Sequence, residues 1–313
     1  MRHALVLLAL GAPLLVAAPA AAQNPTLGLS VASGVRLGGA THVLRGQAVV
    51  LRGRVRGAPA GALVLLTATR DGRRPALVKA RIRRGGRVRA RFRVRRTGTY
   101  AVTAALVTPG AAPVALGRTL RVRSVAPRLR AGRGGLGVRL LQGGLRRLGY
   151  AAPRPGRGSR LDAPTARAVL AFRKVNGLAR TTRSGPEVLG RVFGGRGAFA
   201  VRHPEAGRHV EFDWSRQVLV LARGGRVERA YHASSGKAST PTVMGSYRVY
   251  RKSPGTNASG MVHSSYFLRG FAIHGYASVP TFPASHGCIR VPIADARAIY
   301  DRIAMGERIF VYP

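Results

Sequence analysis

Apolar and polar residues alternate along the first third of the chain. Ala48–Leu51, Leu63–Thr69 and Leu77–Ile82 are short β-like runs separated by Gly, Pro or Asp-Gly. Between Arg87 and Arg95 the alternation is strict. Val88, Ala90, Phe92 and Val94 share one face, and Arg87, Arg89, Arg91, Arg93 and Arg95 the other, the pattern of a half-buried strand. Thr97-Gly98-Thr99-Tyr100 leads into Ala101–Val107, and Leu116–Val122 closes the region. Strands at this spacing predict a β-sandwich-like domain over residues 23–124. The arginine row is either an anion-binding face or a solvated one.

The period then changes. A linker-like stretch at 124–131 precedes Leu136, Leu140, Leu141, Leu145 and Leu148, which follow helical spacing up to Gly149. A second helix opens near Asp162, tolerates Pro164 in its first turn, carries Val169, Phe172 and Val175, and stops at Gly177. Ser184-Gly-Pro-Glu187 fits a capping box for a third helix. These features predict a small helical domain at 125–195. Strands return from residue 200. Val218–Leu221 and Arg226–Ala233 flank a Gly224-Gly225 turn, a hairpin signal. Pro292–Ile303 reads as a helix with Ile293, Ala296, Ile299, Tyr300 and Ile303 along one side, and Arg308–Val311 as a last strand. The fold class expected is multidomain and mainly β, with one small three-helix domain.

Composition changes the choice of partners. Lys plus Arg total 53 against 10 acidic residues, a formal charge of +43, and only Lys79, Lys174, Lys237 and Lys252 are lysine. Such an excess attracts polyanions. Residues 1–22 read as a secretory signal peptide: Arg2 and His3, an apolar core from Leu5 to Ala18 broken by Gly11 and Pro13, then Ala20-Ala21-Ala22 before Gln23. The run is shorter than a membrane-spanning helix needs, and an uncleaved anchor is the alternative. The expectation is a secreted protein of the cell wall or periplasm, with no membrane span after cleavage. Such a protein meets anionic wall polymers and phospholipid headgroups first, so no specific nucleic-acid partner is expected.

The candidate chemistry lies in residues 271–295. Cys288 is the only cysteine, with His274 fourteen residues and His286 two residues upstream. An exported chain with one cysteine cannot form an internal disulfide. A thiol attacks as the thiolate, and an imidazole can take its proton. Gly287 lets another backbone or a ligand approach, and N–H groups at such a turn can bind an oxyanion. Nucleophile, base and oxyanion donors are thus available in one segment. Two other readings exist for these residues: a small buried hydrophobe, and a His₂Cys zinc site. No further Cys or His forms a recognisable ligand pair, so neither metal nor cofactor is expected.

Ile273-His274-Gly275, followed by Ser285-His286-Gly287-Cys288-Ile289-Arg290, resembles the signature of the YkuD-type L,D-transpeptidases, bacterial enzymes that cross-link peptidoglycan. The resemblance covers roughly residues 207–313 and implies a compact, mostly antiparallel β-domain at 200–313, a YkuD-like β-sandwich. It implies Cys288 as nucleophile and His274 as general base, with His286 shaping the site. Backbone N–H groups of Gly287 and Cys288 are the implied oxyanion donors. On the substrate side stand Arg290, which binds a carboxylate or braces the loop, Ser285, which is also a turn former, and Tyr266 and Met261, which line the cleft or pack the core. Gly275 departs from the pattern, since many members carry Ser or Thr there, and the backbone would then orient the imidazole. The partners implied are peptidoglycan stem peptides and wall polymers. Rival activities are a carboxypeptidase or hydrolase using the same thioester, and a non-catalytic wall-binding protein.

The helical region resembles the three-helix peptidoglycan-binding domain. The match lies in Gly137–Gln142, Leu145-Arg-Arg-Leu-Gly149-Tyr150, Asp162–Thr165, Ala168-Val169, Ala171-Phe172 and Asn176-Gly177-Leu178. Arg173 stands where members commonly have Gln, and the loop 151–160 is rich in Pro, Gly and Arg. The alternative role is a rigid spacer.

Overall fold

The computed structural model describes residues 24–313, so the expected signal peptide lies outside the described residues. The described residues are mainly β, with four α-helices and several sheets. None of the described helices is long and apolar enough to cross a membrane.

The alternating first third forms nine strands: β1 (Thr26–Val31), β2 (Val35–Leu37), β3 (Ala40–Leu44), β4 (Ala48–Arg56), β5 (Leu63–Arg70), β6 (Arg73–Arg81), β7 (Arg87–Arg93), β8 (Gly98–Val107) and β9 (Val114–Val125). They make a three-stranded sheet, β1-β4-β7, and a six-stranded sheet, β2-β3-β9-β8-β5-β6. Both feed one core, in which Leu51, Val88, Val64 and Val102 are buried. Each such side chain contributes about 1.5–3 kcal/mol. In β7, Val88, Ala90 and Phe92 point in and the arginines out. The register sets Arg52 opposite Arg89 and Arg54 opposite Arg87, so like charges face each other on the outer surface.

Three helices follow: α1 (Leu136–Arg147), α2 (Ala163–Val175) and α3 (Pro186–Phe193). Asp162 caps α2 by accepting from Thr165 N–H at 3.1 Å. The capping box expected at Ser184 does not form. Gly185 is the cap residue, without a side-chain hydrogen bond, and Glu187 pairs instead with Arg173. The reason is burial: Arg173, the departure from the helical pattern, is buried and also donates to Ala179 O and Arg183 O. An enclosed guanidinium needs a counter-charge more than an accessible helix end needs a cap.

The remaining strands are β10 (Arg208–Asp213), β11 (Val218–Arg223), β12 (Arg226–His232), β13 (Gly245–Arg248), β14 (Arg251–Thr256), β15 (Val262–Leu268), β16 (Phe271–Tyr276), β17 (Ile289–Pro292) and, after helix α4 (Ile293–Arg302), β18 (Arg308–Tyr312). They form a five-stranded sheet, β12-β11-β10-β18-β13, and a four-stranded sheet, β14-β15-β16-β17. Gly224, with φ +53°, opens the β11–β12 hairpin. The five-stranded sheet is covered on both faces. Val218, Val220 and Ala222 pack with α1–α3, whereas Leu219 and Leu221 pack with Ile273, Ile289 and the α4 residues Ala296 and Ile299. Lys252 donates to Tyr300 O (2.7 Å) and Ile303 O (2.5 Å) and so caps the C-terminal end of α4.

Candidate active site

Register brings the candidate residues onto one face. β16 and β17 run parallel, with Ile273 beside Ile289 and His274 beside Arg290. Partners across a ladder share a face, and faces alternate along each strand. Ile273, Ile289 and Val291 therefore enter the core. His274 and Arg290 occupy the opposite face, and Cys288 ends the turn just before β17, where the Ala272 main chain and Arg290 both act on its thiol. Tyr266 pairs with Ala272 and Arg251, so it joins this face from β15.

The turn before β17 is tightly specified. Ser285 is buried, and its hydroxyl donates to Cys288 O (2.6 Å) while accepting from Gly287 N–H (3.1 Å). This is the turn-forming role. It also engages one of the two expected oxyanion donors: the Gly287 N–H points into the turn, which leaves Cys288 N–H as the donor of the pair. Gly287 has φ +113°, and a Cβ there would lie 2.4 Å from the Phe271 ring, so only glycine fits. Thr242 completes the support, donating to Gly287 O (2.8 Å) and accepting from Gly236 N–H (2.9 Å).

His274 is buried, and its Nδ1 lies 2.9 Å from Gly275 O. A carbonyl only accepts, so Nδ1 carries the proton and Nε2 keeps a lone pair, the tautomer a base needs. Gly275 thereby orients the ring through its backbone. A side chain at 275 has no room, since its Cβ would meet the Ala296 Cβ at 2.6 Å. Burial lowers the His274 pKa, opposed by the Gly275 hydrogen bond and reinforced by Arg290. Burial raises the Cys288 pKa, opposed by the Ala272 main chain and by Arg290. Both effects favour a neutral thiol and a neutral imidazole at rest, and the thiol donates to Gly270 O at 3.8 Å. The arrangement suits proton removal during attack rather than a standing thiolate–imidazolium pair.

The other candidates are placed as follows. The main chain of Arg290 exchanges two hydrogen bonds with Ser234 (2.8 and 2.9 Å), so bracing belongs to its backbone. Its guanidinium stacks 4.1 Å over the Tyr276 ring. His286 is exposed. Tyr266 is buried beneath Arg251, whose guanidinium lies 3.9 Å over its ring. Met261 sits in a turn closed by Asn257, one residue before Val262, the partner of Gly275.

Sequence reasoning missed Ser234, Ser235, Gln217, His232 and Lys174, which pack beneath the Cys288 turn. The sequence shows only that Lys174 is one of four lysines in an arginine-dominated chain, next to Arg173 in the second helical stretch.

The family model of the YkuD L,D-transpeptidase catalytic domain matches residues 207–311, which include every candidate residue. Among solved structures, an L,D-transpeptidase from Xylanimonas cellulosilytica is similar at 33% identity and a TM-score of 0.54, over 60% of this chain and 99% of that one. An L,D-transpeptidase from Mycobacterium smegmatis matches 93% of this chain and 100% of its own at 14% identity and a TM-score of 0.31. No curated protein matches the chain. The match of the catalytic-domain model, together with the Xylanimonas cellulosilytica relative matched over nearly its full length, places this chain in the YkuD family of L,D-transpeptidases.

Proposed function

We propose that the protein is an exported peptidoglycan L,D-transpeptidase that works through a thioester on Cys288. The observation that carries this reading is the shared face of His274 and Arg290, with Cys288 in the turn that leads directly into β17 and the His274 tautomer fixed by Gly275 O. The donor is a stem peptide ending in an L-centre followed by D-alanine. His274 Nε2 takes the thiol proton as Sγ attacks the carbonyl of the L-centre. The oxyanion is held by Cys288 N–H. Collapse breaks the peptide C–N bond, the imidazolium returns its proton to the departing amine, and D-alanine leaves. An acceptor amine from a neighbouring stem then attacks the thioester, loses a proton to His274, and the thiol is restored. Positioned base catalysis supplies roughly 10²- to 10⁴-fold, and one oxyanion donor about 3 kcal/mol. The guanidinium of Arg290 is assigned to a substrate carboxylate, which it would bind bidentately. Tyr266 supports this wall of the site, and His286 and Met261 are assigned to its rim.

The domain reading accompanies it: a leader at 1–22, a β-sandwich-like domain at 23–124, a peptidoglycan-binding helical domain at 125–195 and the catalytic domain at 200–313. The test is mass spectrometry of products after incubation with disaccharide-tetrapeptides. Cross-linked dimers with release of D-alanine are expected. Trimmed tripeptides alone would mean that water is the acceptor, and unchanged substrate would reject the enzyme.

A further inference from the structure

Beneath the catalytic turn, one helix of the three-helix segment reaches into the C-terminal sheets. Lys174, near the end of α2, is buried, and its ammonium meets three acceptors: Gln217 O (2.9 Å), Ala233 O (3.0 Å) and His232 Nδ1 (2.8 Å). Burial, reinforced by Arg180, lowers the Lys174 pKa to about 6, and the three acceptors match the three N–H donors of its protonated form. His232 Nε2 lies 2.9 Å from Val279 O. That carbonyl accepts, so Nε2 carries the proton and Nδ1 accepts from Lys174. Val279 belongs to the loop that runs from β16 to the Cys288 turn. Arginine, used almost everywhere else in this chain, presents a rigid planar fork and cannot satisfy three acceptors around one point.

A second path starts from the same lysine. Gln217 holds a left-handed backbone, φ +55°, rare for a residue with a side chain. Its amide donates to Ser235 Oγ (2.8 Å) and accepts from Ser235 N–H (2.7 Å). Ser235 O accepts from Ala284 N–H (2.8 Å) and Ser285 N–H (2.9 Å), and Ser285 forms the turn at Cys288. Two further ties run alongside. Arg180 donates to Thr281 O (2.6 Å) and Ser215 O (2.8 Å), and Arg167 makes a two-pronged pair with Asp295 of α4 (2.8 and 3.0 Å).

We infer that Lys174 is a positioning residue for the transpeptidase reaction: through His232 and Gln217 it sets loop 277–285 and hence the geometry of the Cys288 turn. The three-helix segment is then part of the catalytic unit, whatever else it binds. A displacement of about 1 Å at a reacting centre is enough to cost on the order of 100-fold in rate. The inference rests on Cys288 as the acylated residue.

The experiment uses the full chain with Lys174→Met, His232→Gln and His232→Leu. Gln keeps a donor toward Val279 O; Leu does not. Acylation of Cys288 by a donor stem peptide is timed at saturating peptide, alkylation by iodoacetamide is timed in parallel, and amide exchange is followed over 277–288. Lys174→Met and His232→Leu should each slow acylation about tenfold or more, leave alkylation within about twofold of wild type, and speed exchange in 277–288 but not in the β1-β4-β7 sheet. His232→Gln should recover most of the rate. Acylation unchanged in both Lys174→Met and His232→Leu, equal rates for the Gln and Leu variants, or faster exchange spread evenly over the chain would overturn the inference. Should Lys174→Met fail to fold, the His232 pair decides. If wild-type Cys288 takes no acyl group, the function reading fails instead, and exchange over 277–288 still decides whether Lys174 sets the loop.

Discussion

Strands β7 and β11 follow opposite rules. In β7 every second residue is an outward arginine, because one face of its sheet meets water. In β11, Val218 to Ala222 are all buried, because α1–α3 cover one face and the four-stranded sheet with α4 covers the other. Period-two alternation is visible only where water takes one side. The first region is built to tolerate change on its surface. The second is an inner layer whose two coverings, the helices and the active-site sheet, meet through it. Chemistry that needs buried, fixed groups sits in the second.

The largest effect expected from this contrast is in turnover. Cys288→Ala should remove cross-linking altogether, because the covalent route needs the thiol, whereas Arg87→Ala, Arg89→Ala and Arg91→Ala together should leave turnover with soluble donor unchanged. A product assay run on both variants checks this.

His274→Ala should slow acylation by roughly 10²- to 10⁴-fold near neutral pH. The wild-type rate should fall as acid protonates His274, at a pH below the ordinary imidazole value, since burial lowers that pKa. In His274→Ala the rate should instead climb with pH until the thiol ionises. Burial puts that point above the ordinary thiol value of about 8.5. Single-turnover acylation across a pH series separates the two profiles.

Stability should divide along the same line. Leu219→Ala, in the doubly covered sheet, should cost about 2–5 kcal/mol, while Arg91→Ala should stay within about 0.5 kcal/mol. Denaturant titration of the two variants is the check. Gly287→Ala should fall between them, since it forces a left-handed backbone and a clash with Phe271, costing about 1–3 kcal/mol. The smallest effect expected is in wall binding. The full chain should sediment with purified sacculi, and loss of that binding at moderate salt would mark it as arginine-driven attraction to polyanions.

The legible parts of this chain were those with a local cause. The strict alternation of β7, the Asp162 cap and the Gly224-Gly225 hairpin each follow from a few neighbouring residues. Local patterning failed at Ser184, where Glu187 serves the distant Arg173 rather than its own helix end. It also failed to show that the Gly287 N–H is occupied by Ser285, a detail of turn geometry that residue types alone do not carry. Lys174 was illegible for a different reason: its acceptors come from Gln217, His232 and Ala233, more than forty residues away, and only the fold assembles them.

In the proposed reaction Cys288 carries the acyl group. Wild-type protein mixed with one equivalent of donor stem peptide, quenched in acid and digested, should show the acyl mass on the peptide containing Cys288, and Cys288→Ala should show no acyl mass anywhere. An adduct on another residue, or full turnover by Cys288→Ala, would contradict the account.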